Sequence, residues 1–237
     1  LIGILIISLF TGCAKETSSL TTSGFAFNTT YTITVYQGGT QKTLDTCVSK
    51  CADYEQVFSR TSKNSELYQI NQIEALYLTV VEQAMDLKDS FTKKRSYTKE
   101  QCESIVKQIE QKKTKENTVK YSIRQDGSIT FEISALLERI VKKGLEYSKK
   151  SDGRFDIAIE PVSSLWDFTV KKPTVPDEQK IEKALAYVDY QKIALDDQKL
   201  TFQMPGMGID LGGIAKGFIA DELKAYLGKK GVKSAVI

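Results

Sequence analysis

Gly212 and Gly213 stand at the start of a predicted helix, with Asp210 two residues ahead and Lys216 one turn in. Paired glycines at that place let a ligand reach bare backbone. The first-turn N–H groups have no partner within the helix and lie at the positive end of its dipole, so they attract phosphate oxygens. Lys216 adds a point charge for the same anion, and Asp210 offers a carboxylate to a ribose, a base edge or a cation. The arrangement reads as a diphosphate cradle. It matches neither the Walker pattern nor the dinucleotide fingerprint, and glycines at helix starts also serve tight packing. The chain contains no histidine. Chemistry must therefore rest on carboxylates, lysines, hydroxyls, backbone groups or a hard cation, which disfavours triads and zinc hydrolases.

The elements that must position these residues follow from apolar periodicity and turn signals. A hairpin pairs residues 192–195 with 200–204 around Asp196-Asp197, and Pro205-Gly206 ends it. The helix after it carries Ile214, Phe218, Leu223 and Leu227 on its apolar side and closes at Gly228, and residues 232–237 begin a buried strand. Upstream, residues 25–36 alternate as a half-buried strand, residues 42–58 have helical spacing, and residues 59–65 form a polar loop. The lysine-rich, glycine-free stretch 72–125 reads as an insertion. Asp126-Gly127 joins 119–123 to 129–133 as a hairpin, and Ser134 caps a helix bearing Leu137, Ile140, Val141, Leu145 and Tyr147. Residues 155–166 read as extended and broken by Pro161. A short helix after Asp177 points Ile181, Leu185 and Val188 inward.

A net charge of +3, from 33 basic and 30 acidic residues, leaves no basic field for nucleic acid. Residues 1–10 form an apolar run about half as long as a membrane span, read as the end of a signal peptide over 1–12. It runs into Leu9-Phe10-Thr11-Gly12-Cys13, which resembles a bacterial lipoprotein cleavage box with Cys13 as the lipidated residue; the alternative is a plain secretory peptide. Residues 13–23 then make a lipidated, flexible tether to a domain over 24–237. Cys47 and Cys51 share one helix face with Leu44, Tyr54 and Phe58, which favours core packing over a disulfide or half a metal site.

Three ordered motifs carry a resemblance. Asp-Leu-Gly-Gly-Ile-Ala-Lys-Gly at 210–217 resembles the signature block of the FAD:protein FMN transferase (ApbE) family. Ser151-Asp152-Gly153-Arg154-Phe155-Asp156-Ile157, with Pro161 and Leu165-Trp166-Asp167-Phe168, is similar to the family's Gly-x-Phe-Asp, Pro and Leu-Trp-x-Phe run. Phe58-Ser59-Arg60 with Asn64-Ser65-Glu66-Leu67 and Asn71 is similar to its early Ser-Glu and Asn segment.

The resemblance implies an α+β, T-fold-like architecture, mainly antiparallel sheet with flanking helices and incomplete at the C-terminus, so that residues 232–237 are expected at an exposed sheet edge. It implies an enzyme that transfers FMN from FAD to a threonine hydroxyl of a target flavoprotein, releasing AMP with the help of Mg2+. The acceptors would be flavoprotein subunits of membrane redox complexes or secreted FMN-binding proteins, met at the extracytoplasmic face of the cell membrane through the lipid anchor. FAD pyrophosphatase activity and a non-catalytic flavin-binding lipoprotein are the alternatives. Carried over, Phe27, Thr61, Arg154, Phe155, Asp156, Asp210 and Lys216 contact the FAD, and Gly213 gives its carbonyl to the metal. Catalytic side chains and the remaining metal ligands are expected after Ile237. Phe27-Asn28-Thr29 stands where the family often has Met-Gly-Thr, and Thr61 where an aromatic commonly packs on the flavin. Ala158 and Glu160 replace a small polar residue and a glycine. These departures mark an altered isoalloxazine pocket.

Overall fold

The computed structural model describes residues 19–84, 96–166 and 172–237. The lipoprotein box with Cys13, and Asp167 and Phe168 of the second motif, lie outside the described residues. Chain order is β1 (Leu20–Ala26), β2 (Thr29–Gln37), α1 (Gln41–Phe58), α2 (Glu66–Ala84), α3 (Lys99–Lys112), β3 (Tyr121–Ile123), β4 (Ile129–Glu132), α4 (Ala135–Lys150), α5 (Glu160–Ser163), α6 (Glu178–Leu185), β5 (Ile193–Asp196), β6 (Lys199–Phe202), α7 (Gly212–Lys229) and β7 (Ser234–Val236). Two antiparallel sheets, ordered β1-β2-β7 and β3-β4-β6-β5, pack with the helices around a common core. The α+β expectation holds. β7 pairs with β2 and is exposed at all three residues.

Helix starts follow the local chemistry. A reciprocal Thr40–Thr43 capping box opens α1, whose Leu44, Cys47, Cys51, Tyr54 and Phe58 are buried. Ser134 caps α4 through Leu137 N, and its own N–H and Oγ both donate to the Glu66 carboxylate at 2.6 Å, tying α4 to α2. Asp177 caps α6. The three described cysteines are free and buried. Burial pushes the Cys47 thiol up to about 11, as expected of core packing rather than reactive thiols.

Several elements differ from the sequence reading. The single strand expected over 25–36 is a hairpin: Phe27 and Asn28 both take positive φ, 53° and 56°, making a two-residue turn, so Leu20–Ser23 of the expected tether are paired in β1. The segment read as extended after Phe155 is helical. Asp156 caps a 3-10 turn over Ile157–Ile159, and Pro161 sits in the first turn of α5, where its missing N–H costs nothing. On α6 and just beyond it, Ala184 and Tyr187 face inward while Leu185 is exposed. Gly231, at φ +77°, rather than Gly228, follows the end of α7. The stretch 72–125 begins inside α2, and its Ile73, Tyr77, Val80 and Val81 belong to the core; Tyr77 also donates to Gly127 O at 3.1 Å. Among the described residues, no helix is long and apolar enough to cross a membrane.

Candidate functional site

Asp210 lies on the loop that leads from β6 into α7, and the protein holds it from four sides. Its backbone N–H donates to Ile157 O at 2.9 Å. Its Oδ1 accepts the Gly212 N–H at 2.8 Å, and its Oδ2 accepts Ser163 Oγ at 2.7 Å and faces Arg60 Nε at 3.1 Å. An aspartate reaching two residues ahead to the first turn of a helix satisfies one otherwise unpaired donor and places negative charge at the positive end of the dipole. Arg60 is positioned by the turn that ends α1, where Ser59 Oγ accepts the N–H groups of Thr61 and Ser62.

Gly213, exposed beside Gly212, is the site of a close approach. A Cβ there would come within 2.9 Å of Phe155 Cε2, so the Phe155 ring rests on the bare backbone of the α7 N-terminus. Phe155, Gly213, Ile214 and Phe218 line a cavity of about 700 Å³ with Tyr147, Lys143 and Lys150. The inward face of α7 is Ala215, Ile219, Leu223 and Leu227. Ile214 and Phe218, expected on the apolar side, pack against the edge of the core and also form this cavity wall. A second cavity of about 560 Å³ has Arg60, Glu160, Asn71 and Tyr187 in its wall. A third, of about 370 Å³, is lined by Phe27, Tyr31, Cys51, Lys216 and Ile219.

The N-terminal half of α7 thus carries Gly213, beside Phe155 in the first cavity, and Lys216, beside Phe27 in the third, while Asp210 is held at its start by Arg60 and Ser163. Thr61 is exposed next to Arg60, and Arg154 is exposed on the loop after α4. Asp156 is turned to the backbone: Oδ1 accepts Ala158 N at 2.7 Å and Oδ2 accepts Tyr190 N at 3.0 Å. Residues without a sequence assignment complete the corner. Ser163 gave no signal in the sequence, whereas Arg60 and Asn71 stood inside a recognised motif with no role attached. Glu160, in the cavity wall near Arg60, packs so closely on Gly208 that a Cβ there would meet its Oε2 at 2.6 Å. Burial pushes its carboxyl up to about 7; the Arg60 charge opposes the shift and Asp210 adds to it.

Among the described residues no three Cys, Asp or Glu side chains come together to hold an ion. Gly213 offers only a backbone carbonyl, and the nearby Asp210 carboxylate is already engaged by Arg60, Ser163 and the Gly212 N–H. These residues do not by themselves make a magnesium site.

A family model described as the ApbE family matches residues 79–237, more than half of the chain. A protein of Klebsiella pneumoniae (strain 342) named FAD:protein FMN transferase is 40% identical over 88 residues, 36% of this chain and 28% of its own length. A protein of the same name from Haemophilus influenzae is 28% identical over 148 residues, 58% of this chain and 43% of its own. Among solved structures, the flavin transferase ApbE from Vibrio cholerae superposes with a TM-score of 0.62 at 19% identity, covering 92% of this chain and 56% of that one. The apo form of the Pseudomonas stutzeri flavinyl transferase ApbE gives 0.60 at 17%, covering 92% and 55%. These structural likenesses are ones of fold. The chain spans less than two thirds of the length of each of these relatives.

Proposed function

The chain belongs to the ApbE family, and from that premise we propose that it transfers FMN from FAD to a threonine hydroxyl of a flavoprotein acceptor. In balanced form, the hydroxyl oxygen attacks the phosphorus that carries the riboflavin. A new O–P bond forms, the diphosphate bridge breaks, AMP leaves with the bond pair, and the hydroxyl proton is lost. The observation that carries the reading is the α7 N-terminus: exposed Gly212 and Gly213 backbone, a fixed Asp210, and Lys216 one turn along.

In this reading the chain's own residues bind and orient. The exposed Gly213 backbone, at the positive end of the helix dipole, and Lys216 receive diphosphate oxygens, the Gly212 N–H being held by Asp210 and the Ile214 N–H by Leu211 O. Asp210, unable to swing because three donors hold it, presents a fixed acceptor edge to the nucleotide. Phe155 supplies an apolar wall. A divalent cation would neutralise charge developing on the leaving phosphate; the described residues contribute at most the Gly213 carbonyl to it. Membrane attachment through Cys13, an extracytoplasmic location and acceptors among membrane-bound or secreted flavoproteins complete the proposal on the strength of the sequence. Fractionation of the protein with or without membranes checks the attachment.

The test is calorimetric titration of FAD into the full-length gene product with and without Mg2+, followed by mass spectrometry of an acceptor flavoprotein. Mg2+-enhanced binding and an acceptor mass raised by one FMN moiety are the expected results. FAD hydrolysis with no acceptor gain would replace transfer by pyrophosphatase activity. Binding with neither reaction would favour the flavin-binding lipoprotein that the exposed Thr61 and the altered Phe27-Asn28 turn suggest. Absence of FAD binding defeats the flavin reading.

A further inference from the structure

We infer that Asn71 of α2 is a positioning residue, whose side-chain amide sets Asp210 for its ligand by gripping the preceding peptide. The inference rests on the flavin reading for the identity of that ligand. Asn71 Nδ2 donates to Ile209 O at 2.9 Å, and Asn71 Oδ1 accepts the Ile209 N–H at 3.0 Å. One side chain therefore satisfies both backbone groups of a single residue, as a neighbouring strand would, although the loop here has no strand beside it. Only an amide side chain carries a donor and an acceptor so arranged. Asn71 is 8% exposed and Ile209 is fully buried, so leaving either backbone group without its partner is costly.

The grip has a second point. One helical turn further on, Glu74 Oε2 accepts the Gly206 N–H at 3.0 Å, so residues three apart on one face of α2 hold residues three apart on the loop. Glu74 is fully buried and its Oε1 has no hydrogen-bond partner; burial raises this carboxyl well above the usual carboxylate range, and the Gly206 N–H opposes the shift. Immediately after the gripped peptide, the Asp210 N–H meets Ile157 O, and its side chain meets Arg60, Ser163 and the Gly212 N–H. A residue whose peptide is fixed on the N-terminal side can aim its carboxylate at a constant angle. Without Asn71 the same carboxylate still has its donors, but the residue before it loses both of its backbone hydrogen bonds.

A residue that only stabilises the fold lowers the melting temperature and leaves the ligand affinity of the folded protein unchanged, so a double-mutant cycle separates the two roles. FAD dissociation constants are measured at low temperature, with every protein confirmed folded, for the full-length wild type, Asn71→Leu, Asp210→Asn and the double variant. Asn71→Ser is carried in parallel in case the leucine variant does not fold. The expected result is affinity weakened about tenfold or more by the Asn71 change in the wild-type background and less than about threefold in the Asp210→Asn background. An equal loss in both backgrounds, or no loss in either, overturns the inference. Amide exchange at Ile209 and Gly212 in the ligand-free proteins gives a readout that does not need FAD. Both should exchange at least about tenfold faster without Asn71, and unchanged protection at Gly212 overturns the inference. If wild type binds no FAD while the exchange result is positive, the grip stands and the functional reading fails.

Discussion

The loop from Gly206 to Gly213 and the hairpin tip at Phe27-Asn28 both border the N-terminal half of α7, and the protein holds them in opposite ways. On the loop, the Gly206 N–H is held by the Glu74 carboxyl, both backbone groups of Ile209 by the Asn71 amide and the Asp210 N–H by Ile157 O, and the Asp210 carboxylate meets three further donors. At the tip, Phe27 gives its N–H to Glu55 Oε1 at 2.9 Å, Asn28 is exposed, and both residues sit in the left-handed region, where a bulky side chain is uncommon. Thr61, in the turn after α1, is exposed as well. A region pinned by many directional bonds tolerates little change, whereas a surface turn held by one bond can vary. The departures from the family pattern at Phe27, Asn28 and Thr61 fall on the loosely held side, and the signature block falls on the pinned side.

The contrast is broken most directly at Asp210. Asp210→Ala removes the acceptor for Arg60, Ser163 and the Gly212 N–H together. FAD affinity should fall about a hundredfold and stability by about 1–3 kcal/mol, read by calorimetry and thermal melts. If neither changes, the pinned corner has no part in binding. Glu160 tests the electrostatics of the same corner. Its folded value of about 7 lies above the ordinary 4.5. The stability gained by keeping it neutral is therefore complete below about pH 4.5 and is lost as pH rises through about 7. Glu160→Gln removes that dependence. Its stability relative to wild type should improve by on the order of 2–3 kcal/mol between pH 4.5 and pH 8. Parallel pH–stability curves for the two proteins would show that Glu160 ionises normally. Glu74 shifts in the same direction but is present in both proteins and cancels.

Two glycines one turn apart sharpen the comparison at smaller scale. Gly213→Ala drives a methyl group into Phe155, which must move, and should cost about 1–2 kcal/mol with weaker FAD binding. Gly217→Ala meets nothing within 4 Å in a helix interior and should stabilise by about 0.5–1 kcal/mol. Equal effects at the two positions would mean that helix propensity, not the Phe155 contact, decides both.

The sequence showed the anchors of this site better than their means of support. Caps at Ser134 and Asp177 and the hairpin at Asp126-Gly127 are local, so residue type and spacing reveal them. Asp210, Gly213, Lys216 and Phe155 were legible because the 210–217 and 151–157 blocks resemble a family pattern. Ser163 was not, because its contact with Asp210 spans 47 residues and depends on Asp156 and Pro161 turning the segment helical rather than extended. Asn71 and Glu74 look like polar positions on an amphipathic helix. Their partners lie more than 130 residues away, and no periodicity signals a side chain that replaces a strand. Leu20–Ser23 were read as tether because a Ser/Thr-rich run looks polar, yet threonine also favours strands, and cross-strand bonds such as Ser23–Thr32 at 2.9 Å hold the pair together.

The gentlest substitution addresses the loosely held side alone. Thr61 is exposed, and its hydrogen bonds run to the Ser59 hydroxyl within its own turn, so Thr61→Tyr should change stability by no more than about 0.5 kcal/mol. A tyrosine ring placed beside Arg60 gives a flat aromatic ligand a face to stack on, worth about 0.5–1.5 kcal/mol, and FAD should bind several-fold more tightly with FMN following and AMP unaffected. The AMP control matters because it separates stacking on the flavin from any indirect tightening of the Asp210 corner. Equal gains for FAD and AMP would mean that Thr61 acts through Arg60 on the pinned side, and that the two regions are one unit. A gain confined to flavin ligands would mean that the pinned side fixes the nucleotide while the open side sets how tightly the ring is held.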